Sequence, residues 1–447
     1  MPNLTGLLGV GVLLLIAYAM SSARRAINWR LVLSGVLLQL ALAYLLIRFP
    51  PVARGFELLA GGVTRVISFA DAGIEFVFGP NLADPAGPWG FVFAFKVLPI
   101  IIFFAALMSV LYHLGLMQRV VALVAWLLRR TLGITGAEAL SASANIFVGQ
   151  TEAPLTVKPY IAGMTRSQLF CVMVGGFATI AGSVMAAYIL MLGDAFGSIR
   201  VAAQGLTGEA AQAAIADGKT RFAVHIMTAS VMSAPAGIVM AKIMIPETES
   251  PRPETVSALL GDEKPSSNVV DAAALGATDG LRLALNVAAM LIAFVALLAL
   301  INWPLTAISN LPSIAAWRAE HGLPPFTLQT LLGWLLTPLA LVMGVAWKDC
   351  PSLGALLGTQ VVATEFVAYA DLARMVRAQS IEPRTAAIAT YCLCGFANIA
   401  SIGIQIGGLS AMAPQRRADL AALAPRAMLA GALACWMTGA VAGLVIP

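Results

Sequence analysis

"VGQTEAPLTVKPYI", residues 148–161, sets an amide, a hydroxyl and a carboxylate side by side at Gln150, Thr151 and Glu152, within an otherwise apolar stretch of chain. Pro154 and Pro159 follow closely, so no uninterrupted helix carries this segment across a bilayer. It is either an ordinary polar loop or a broken element that holds polar groups at membrane depth. The composition decides the setting. Of 447 residues, 60% are hydrophobic and 11% charged, against about 25% charged in an average soluble domain. Such a chain cannot clothe itself in a polar shell. Uncharged runs at 4–20, 31–47, 97–112, 222–241, 283–303 and 428–447 each approach the roughly 20 residues that cross a hydrocarbon core of about 30 Å. The chain reads as an all-α polytopic membrane protein.

The net charge of +5 is small and its basic residues sit at segment ends, which argues against nucleic acid as a partner and for an inner (plasma) membrane location. Five cysteines, Cys171, Cys350, Cys392, Cys394 and Cys435, lie mostly in apolar segments, and with three histidines they lack structural zinc spacing. They read as small buried hydrophobes. Arg24, Arg25 and Arg30 follow the first apolar run and no charge precedes it, the reverse of a signal peptide. That run reads as a retained span, with the N-terminus outside and the first loop cytoplasmic. The same alternation places Arg374, Arg377 and Arg384 outside, against the charge rule.

Along the chain, two spans are followed by an interfacial helix over 50–80, a third span over 91–112 and an amphipathic connector over 117–130. A span near 169–192, a polar alanine-rich loop over 193–221 and a further span come next. The run 245–267 reads as a solvated linker, 282–303 as a span, and 304–350 as apolar helix broken by prolines. The expected division is 1–130 for N-terminal spans and interfacial helices, and 131–245 for a first repeat. A linker and interfacial segment (246–280), a scaffold span and connector (281–325) and a second repeat (326–447) complete it.

Comparing the polar membrane segments with one another is more informative than reading each alone. "GFATIA" at 176–181 and "GFANIA" at 395–400 agree at five of six positions, and a Thr-Glu pair lies upstream of each, at Thr151–Glu152 and Thr364–Glu365. Secondary transporters are often built from inverted repeats whose interrupted helices hold solute and ion near the midplane. An interruption frees carbonyls to bind a cation and N–H groups to bind a solute. A lone carboxylate at bilayer depth costs at least about 2.5–3.5 kcal/mol, so Glu152 and Glu365 are functional or paired; the bland reading is a helix cap or a pair with a base such as Lys158.

At these residues the chain resembles the concentrative nucleoside transporter family of bacterial type. "GQTEAPL" (149–155), "EFVAY" (365–369), "CGFANIASIGIQIGG" (394–408) and "NVVDAAALGATDGLRLALNVAAMLIAF" (268–294) carry the resemblance, which covers most of the chain from about Gly90 onward. The first ninety residues match only as hydrophobic spans. The resemblance implies about eight transmembrane helices plus two re-entrant hairpins in an inverted repeat, assembled as a homotrimer. It implies that Gln150, Thr151 and Glu152 at the first hairpin tip, with Val184 and Phe396, surround a nucleobase. Glu365 at the second tip, with Asn398 and Ser401, would bind the ribose hydroxyls. A carboxylate accepts from both hydroxyls of a vicinal diol, and Asn and Ser each add a donor and an acceptor. The resemblance further implies a sodium site of backbone oxygens from Asn145, Val148 and Ile180 with the Thr179 hydroxyl, although some relatives couple to protons. One departure is that the family's Asn-Glu-Phe tip reads Thr364-Glu365-Phe366 here, which keeps a hydroxyl and loses an amide.

The resulting expectation is a secondary active symporter importing nucleosides on a sodium gradient by alternating access, with no enzymatic activity and no cofactor beyond the ion. A proton-coupled nucleoside or other small-solute symporter, a passive channel, and an intramembrane enzyme using Glu152 and Glu365 as acid and base are the alternatives.

Overall fold

The computed structural model describes residues 2–83, 92–251 and 266–446, and every described element is helical. Helices α1 (Pro2–Ala19), α2 (Trp29–Ile47), α3 (Pro50–Ser68), α4 (Ala70–Phe78) and α5 (Pro80–Ala83) precede α6 (Phe93–Lys96), α7 (Leu98–His113) and α8 (Leu116–Leu132). A first set follows: α9 (Gly136–Ala144), a 3-10 turn over Ala153–Val157, α10 (Lys158–Ile161), α11 (Arg166–Ala178), α12 (Gly182–Gln204) and α13 (Gly208–Met244). After α14 (Val269–Ser309), α15 (Pro312–Glu320) and α16 (Leu328–Val342) comes a second set with the same order of parts. It consists of α17 (Cys350–Val362), α18 (Glu365–Arg377), α19 (Pro383–Cys392), α20 (Ile399–Met412) and α21 (Arg417–Val445).

Six helical stretches among the described residues are long and apolar enough to cross a membrane, with three shorter apolar helices beside them. Their burial separates inside from outside. The apolar window of Arg166–Gln204 is 100% buried by protein, whereas that of Val269–Ser309 is 11% buried. A helix interrupted at membrane depth is tolerable only where protein or a cavity surrounds it, and the interrupted α11–α12 stretch is the fully buried one. The nearly bare α14 packs along α7 and turns its remaining face outward.

Several sequence expectations change. The stretch 193–221 is helix rather than loop: α12 and α13 run through it and leave only a short turn near Gly205. Alanine favours helix, and the two arms are cross-linked by Arg200–Asp217 at 2.7 Å and Lys219–Asp194 at 3.1 Å. The span near 169–192 is interrupted at Thr179–Ala181. The span expected from 282 begins already at Val269, capped by the Asn268 side chain on the Asp271 N–H. Pro304 and Pro338 lie inside α14 and α16 rather than ending them, as membrane helices permit when neighbours re-satisfy the freed carbonyls. Most of the expected linker, 252–265, lies outside the described residues.

Two of the three arginines that offend the charge rule, Arg374 and Arg384, have structural employment, as does Arg48. Arg384 donates to the carbonyls of Gly344 (2.7 Å) and Gly443 (2.6 Å), Arg48 to that of Val445 (2.6 Å), and Arg374 pairs with Asp371. Helix C-termini carry unsatisfied carbonyls and partial negative charge, so Arg384 and Arg48 complete the end of α21. At the opposite end of the molecule, α9 and α11 each begin with a capping box, Thr135 with Glu138 and Thr165 with Gln168. Lys242 near the end of α13 clamps both: its Nζ lies 2.5 Å from Glu138 Oε1 and 2.9 Å from Ser167 Oγ.

Candidate functional site

Four interruptions converge in the interior. The chain leaves helix after α9 at Asn145, and Pro154 and Pro159 keep the stretch that follows from forming one continuous helix. Between α11 and α12, Thr179 and Ala181 adopt extended backbone (φ −127° and −69°, ψ 168° and 144°). Between α17 and α18, Thr364 is extended and its hydroxyl accepts from the Val367 N–H at 3.4 Å. Between α19 and α20, Asn398 is extended and its Oδ1 accepts from the Ser401 N–H at 2.8 Å. Thr364 and Asn398 are thus N-caps. The hydroxyl that Thr364 retains does the capping.

The interruptions bond to one another. The Phe396 N–H donates to the Thr179 carbonyl at 3.2 Å, which joins the "GFATIA" and "GFANIA" segments directly. The Gly182 N–H donates to the Phe147 carbonyl at 3.0 Å, and Ser230 Oγ to the Ile146 carbonyl at 2.9 Å. Gly182 has no room for a side chain, since a Cβ there would lie 2.7 Å from the Phe147 oxygen.

Glu365, 3% exposed at the start of α18, is the centre of the polar cluster. Its Oε2 accepts from Asn398 Nδ2 at 2.7 Å and its Oε1 from the Tyr188 hydroxyl at 3.0 Å. Because Asn398 Oδ1 is committed to Ser401, its amide nitrogen must face Glu365. Tyr188 is held by its ring, 4.3 Å from that of Tyr369 and 4.6 Å from that of Phe366 between centroids. The expected ribose residues Glu365, Asn398 and Ser401 therefore form one connected group, with Tyr188 as a member that sequence reasoning missed. A tyrosine one helical turn beyond Val184 in an apolar stretch was the available signal.

The expected nucleobase residues form a second group. Gln150 is buried, Thr151 half-buried and Glu152 exposed. Gln150 packs against α11 and Thr151 against α20: a Cβ on Gly176 would lie 2.9 Å from Gln150 Cβ, and one on Gly408 would lie 2.8 Å from Thr151 Cγ2. Val184 is fully buried and Phe396 half-buried. Among the described residues, no hydrogen bond joins the Gln150–Thr151–Glu152 trio directly to Glu365.

The ion-site expectation falls at the seam between Phe147 and Gly182. Among the described residues, no hydrogen bond reaches the main-chain oxygens of Asn145, Val148 or Ile180. Asn145 Oδ1 is buried without a partner, and the Thr179 hydroxyl donates to the Gly175 carbonyl at 2.9 Å, leaving its lone pairs free. Uncommitted hard oxygens in a buried seam fit a small monovalent cation. No cluster of three or more His, Cys, Asp or Glu side chains suited to a metal occurs among the described residues.

Three family models match the chain: "Na+ dependent nucleoside transporter N-terminus" over residues 8–81, "Nucleoside recognition" over 94–195 and "Na+ dependent nucleoside transporter C-terminus" over 225–443. The match over 8–81 extends the family likeness into the first ninety residues, which sequence inspection had read only as hydrophobic spans. An uncharacterized transporter of Haemophilus influenzae is 43% identical over 100% of this chain and 98% of its own length. Sodium/nucleoside cotransporter 1 of Mus musculus is 39% identical over 99% of this chain and 64% of its own length. The solved structure of CNTnw in an inward-facing substrate-bound state is 40% identical, with TM-score 0.84 over 100% of this chain and 98% of that one.

Proposed function

The chain belongs to the Na+-dependent nucleoside transporter family, and on that premise we propose that it is a sodium-driven symporter importing nucleosides across the inner (plasma) membrane. Membership makes it a membrane transporter rather than an enzyme. The single observation that carries the finer reading is the buried Glu365 carboxylate, held by Asn398 and Tyr188 at 2.7 and 3.0 Å where two helix interruptions meet. Two oxygens offer about four acceptor sites, so after these two bonds Glu365 retains capacity for both hydroxyls of a ribose diol. Ser401 and Asn398 supply further polar atoms at the same helix start. Val184 and Phe396 offer apolar surface to the flat faces of a base, and Gln150, Thr151 and Glu152 address its polar edge.

In this reading α9 with the Ala153–Val157 turn and α10, and α17 with α18, are re-entrant hairpins of opposite orientation, and about eight helices span the membrane. The repeats 131–245 and 326–447 carry the site and move against a scaffold supplied by 1–130 and 281–325 in a homotrimer. Bound sodium would supply a positive charge beside the first hairpin tip, held by the oxygens of Asn145, Val148, Ile180 and Thr179. An ion bridging those oxygens would tie the tip to the α11–α12 interruption, beside the Gly182–Phe147 hydrogen bond, and so order the wall against which the base rests. One positive charge entering down about 100 mV releases about 2.3 kcal/mol, enough for roughly fifty-fold accumulation.

The test is uptake of labelled uridine by the purified protein in proteoliposomes. Uphill accumulation on an inward sodium gradient, abolished when choline replaces sodium at every pH, is the expected result. Accumulation in choline that follows a pH gradient would reassign the coupling to protons. Failure to accumulate any nucleoside would overturn the reading.

A further inference from the structure

On the face of the molecule that carries the ends of α2 and α21, a cavity of about 1080 Å³ opens between α12, α13 and the α18–α19 turn. The charge rule that keeps Arg24, Arg25 and Arg30 in the cytoplasm puts this face outside. The charges that line it are engaged with one another or with the backbone. Asp217 pairs with Arg200 and Arg221 at 2.7 and 3.0 Å, and Lys348 with Glu382 at 2.8 Å. Asp349 accepts from the Glu382 N–H at 3.0 Å, and Arg384 holds the Gly344 and Gly443 carbonyls. His225 also lines the cavity, and among the described residues none of these groups bonds to it. It is half-buried on α13, with Nδ1 3.1 Å from the hydroxyl of Tyr391, a fully buried residue near the end of α19. Phe222, one turn earlier on α13, meets the Tyr369 ring edge-on, 6.4 Å between centroids. Tyr369 donates to the Thr390 carbonyl at 2.8 Å and lies 4.3 Å from the ring of Tyr188, which holds Glu365. The cavity floor and the polar cluster around Glu365 are thus two sides of one aromatic layer.

We propose that His225 is a positioning residue for the solute site: through Tyr391 it fixes the α19–α20 interruption that carries Asn398, and a proton arriving from the outer cavity releases that hold. A buried tyrosine hydroxyl needs an acceptor. Neutral imidazole supplies one at Nδ1 while Nε2 keeps its proton on the cavity side. Ionised imidazole has two donors and no acceptor, so it can no longer take a hydrogen bond from Tyr391. Its charge would also sit one turn from Arg221 on the same helix, where like charges repel. Histidine is the ordinary side chain that changes charge between about pH 5 and 8. Loosening Tyr391 frees the end of α19, which presents the Thr390 carbonyl to Tyr369 and leads directly into the segment that sets Asn398 against Glu365.

The positioning role rests on the nucleoside-symporter reading, and the experiment separates the two. Sodium-driven uridine uptake is measured in right-side-out membrane vesicles, with outer and inner pH set independently to about 7.5 or about 5.5. For the unaltered protein, acidifying the outside is expected to raise KM about three- to tenfold, the worth of one hydrogen bond. Acidifying the inside is expected to leave it in place. His225→Gln, whose amide oxygen accepts from Tyr391 without titrating, is expected to flatten the response. Tyr391→Phe is expected to carry the higher KM at both outer pH values. A KM indifferent to outer pH in the unaltered protein, a response to inner pH alone, or a response that survives in the variants overturns the role of His225 and leaves the transport reading intact. No sodium-driven uptake at either pH overturns the transport reading itself. Should His225→Gln not assemble, Tyr391→Phe, which loses a single oxygen, carries the same test.

Discussion

Replacing Glu365 by Gln tests the centre of the site, and the hydrogen-bond pattern fixes what the change does. Asn398 cannot turn its amide over, because its Oδ1 already accepts from the Ser401 N–H at 2.8 Å. The glutamine must therefore present its oxygen to Asn398 Nδ2 and its NH2 to Tyr188, whose hydroxyl rotates to accept. Both internal contacts survive as neutral bonds and the fold is kept. What disappears is the charge and half of the acceptor capacity offered to a diol. A hydrogen bond to a charged group contributes about 1.5–3 kcal/mol and a neutral one about 0.5–1.5. The loss is then about 1–1.5 kcal/mol per sugar hydroxyl, about 2–3 kcal/mol for two, or roughly 30- to 150-fold in affinity at 1.4 kcal/mol per tenfold. Uridine and 3′-deoxyuridine binding to purified protein in sodium reads this directly. The unaltered protein is expected to prefer uridine, and Glu365→Gln to weaken uridine binding by that factor while narrowing the preference. A uridine Kd within about twofold of the original, with the preference intact, would refute the assignment of Glu365 to the ribose.

Two further predictions follow from the surroundings of the site. Tyr188→Phe keeps the ring against that of Tyr369, 4.3 Å between centroids, but removes the donor to Glu365 Oε1, so uridine affinity is expected to fall about three- to tenfold for a loss of about 1 kcal/mol; unaltered affinity would mean that Asn398 alone orients the carboxylate. Lys242→Met leaves Glu138 buried without its partner and is expected to cost about 3–5 kcal/mol of stability, whereas adding Glu138→Gln restores most of it; thermal unfolding in detergent distinguishes the two, and equal losses in single and double variants would show that the pair does not anchor α9 to α13.

The sequence by itself determined the class of the protein and the address of its interior. Low charge and long apolar runs leave a bilayer as the one solvent in which this chain can fold, and Gly149 and Pro154 beside the Thr151–Glu152 pair mark one place where helix stops. Those signals are local, so Gln150 and Glu365 were legible as polar exceptions in apolar surroundings, whereas Phe396 and Asn398 were singled out by the family resemblance. Element boundaries in alanine-rich stretches were less legible. The stretch 193–221 reads as a loop by its polarity, yet it is helical because its charges pair across the α12–α13 turn.

Only the tertiary structure decided which exceptions meet. Nothing in the order of residues announces that Tyr188 reaches Glu365, 177 positions away, or that Lys242 closes on Glu138. Nor does the sequence distinguish Gln405, whose buried oxygen lacks a partner, from Gln360, whose amide is spent on the Gly395 carbonyl and the Trp436 indole. The physical reason is that apolar periodicity records which face of a helix is buried. The partner of a buried polar atom is set by how helices cross, through close approaches such as that at Gly182, and those depend on the whole packed interior at once.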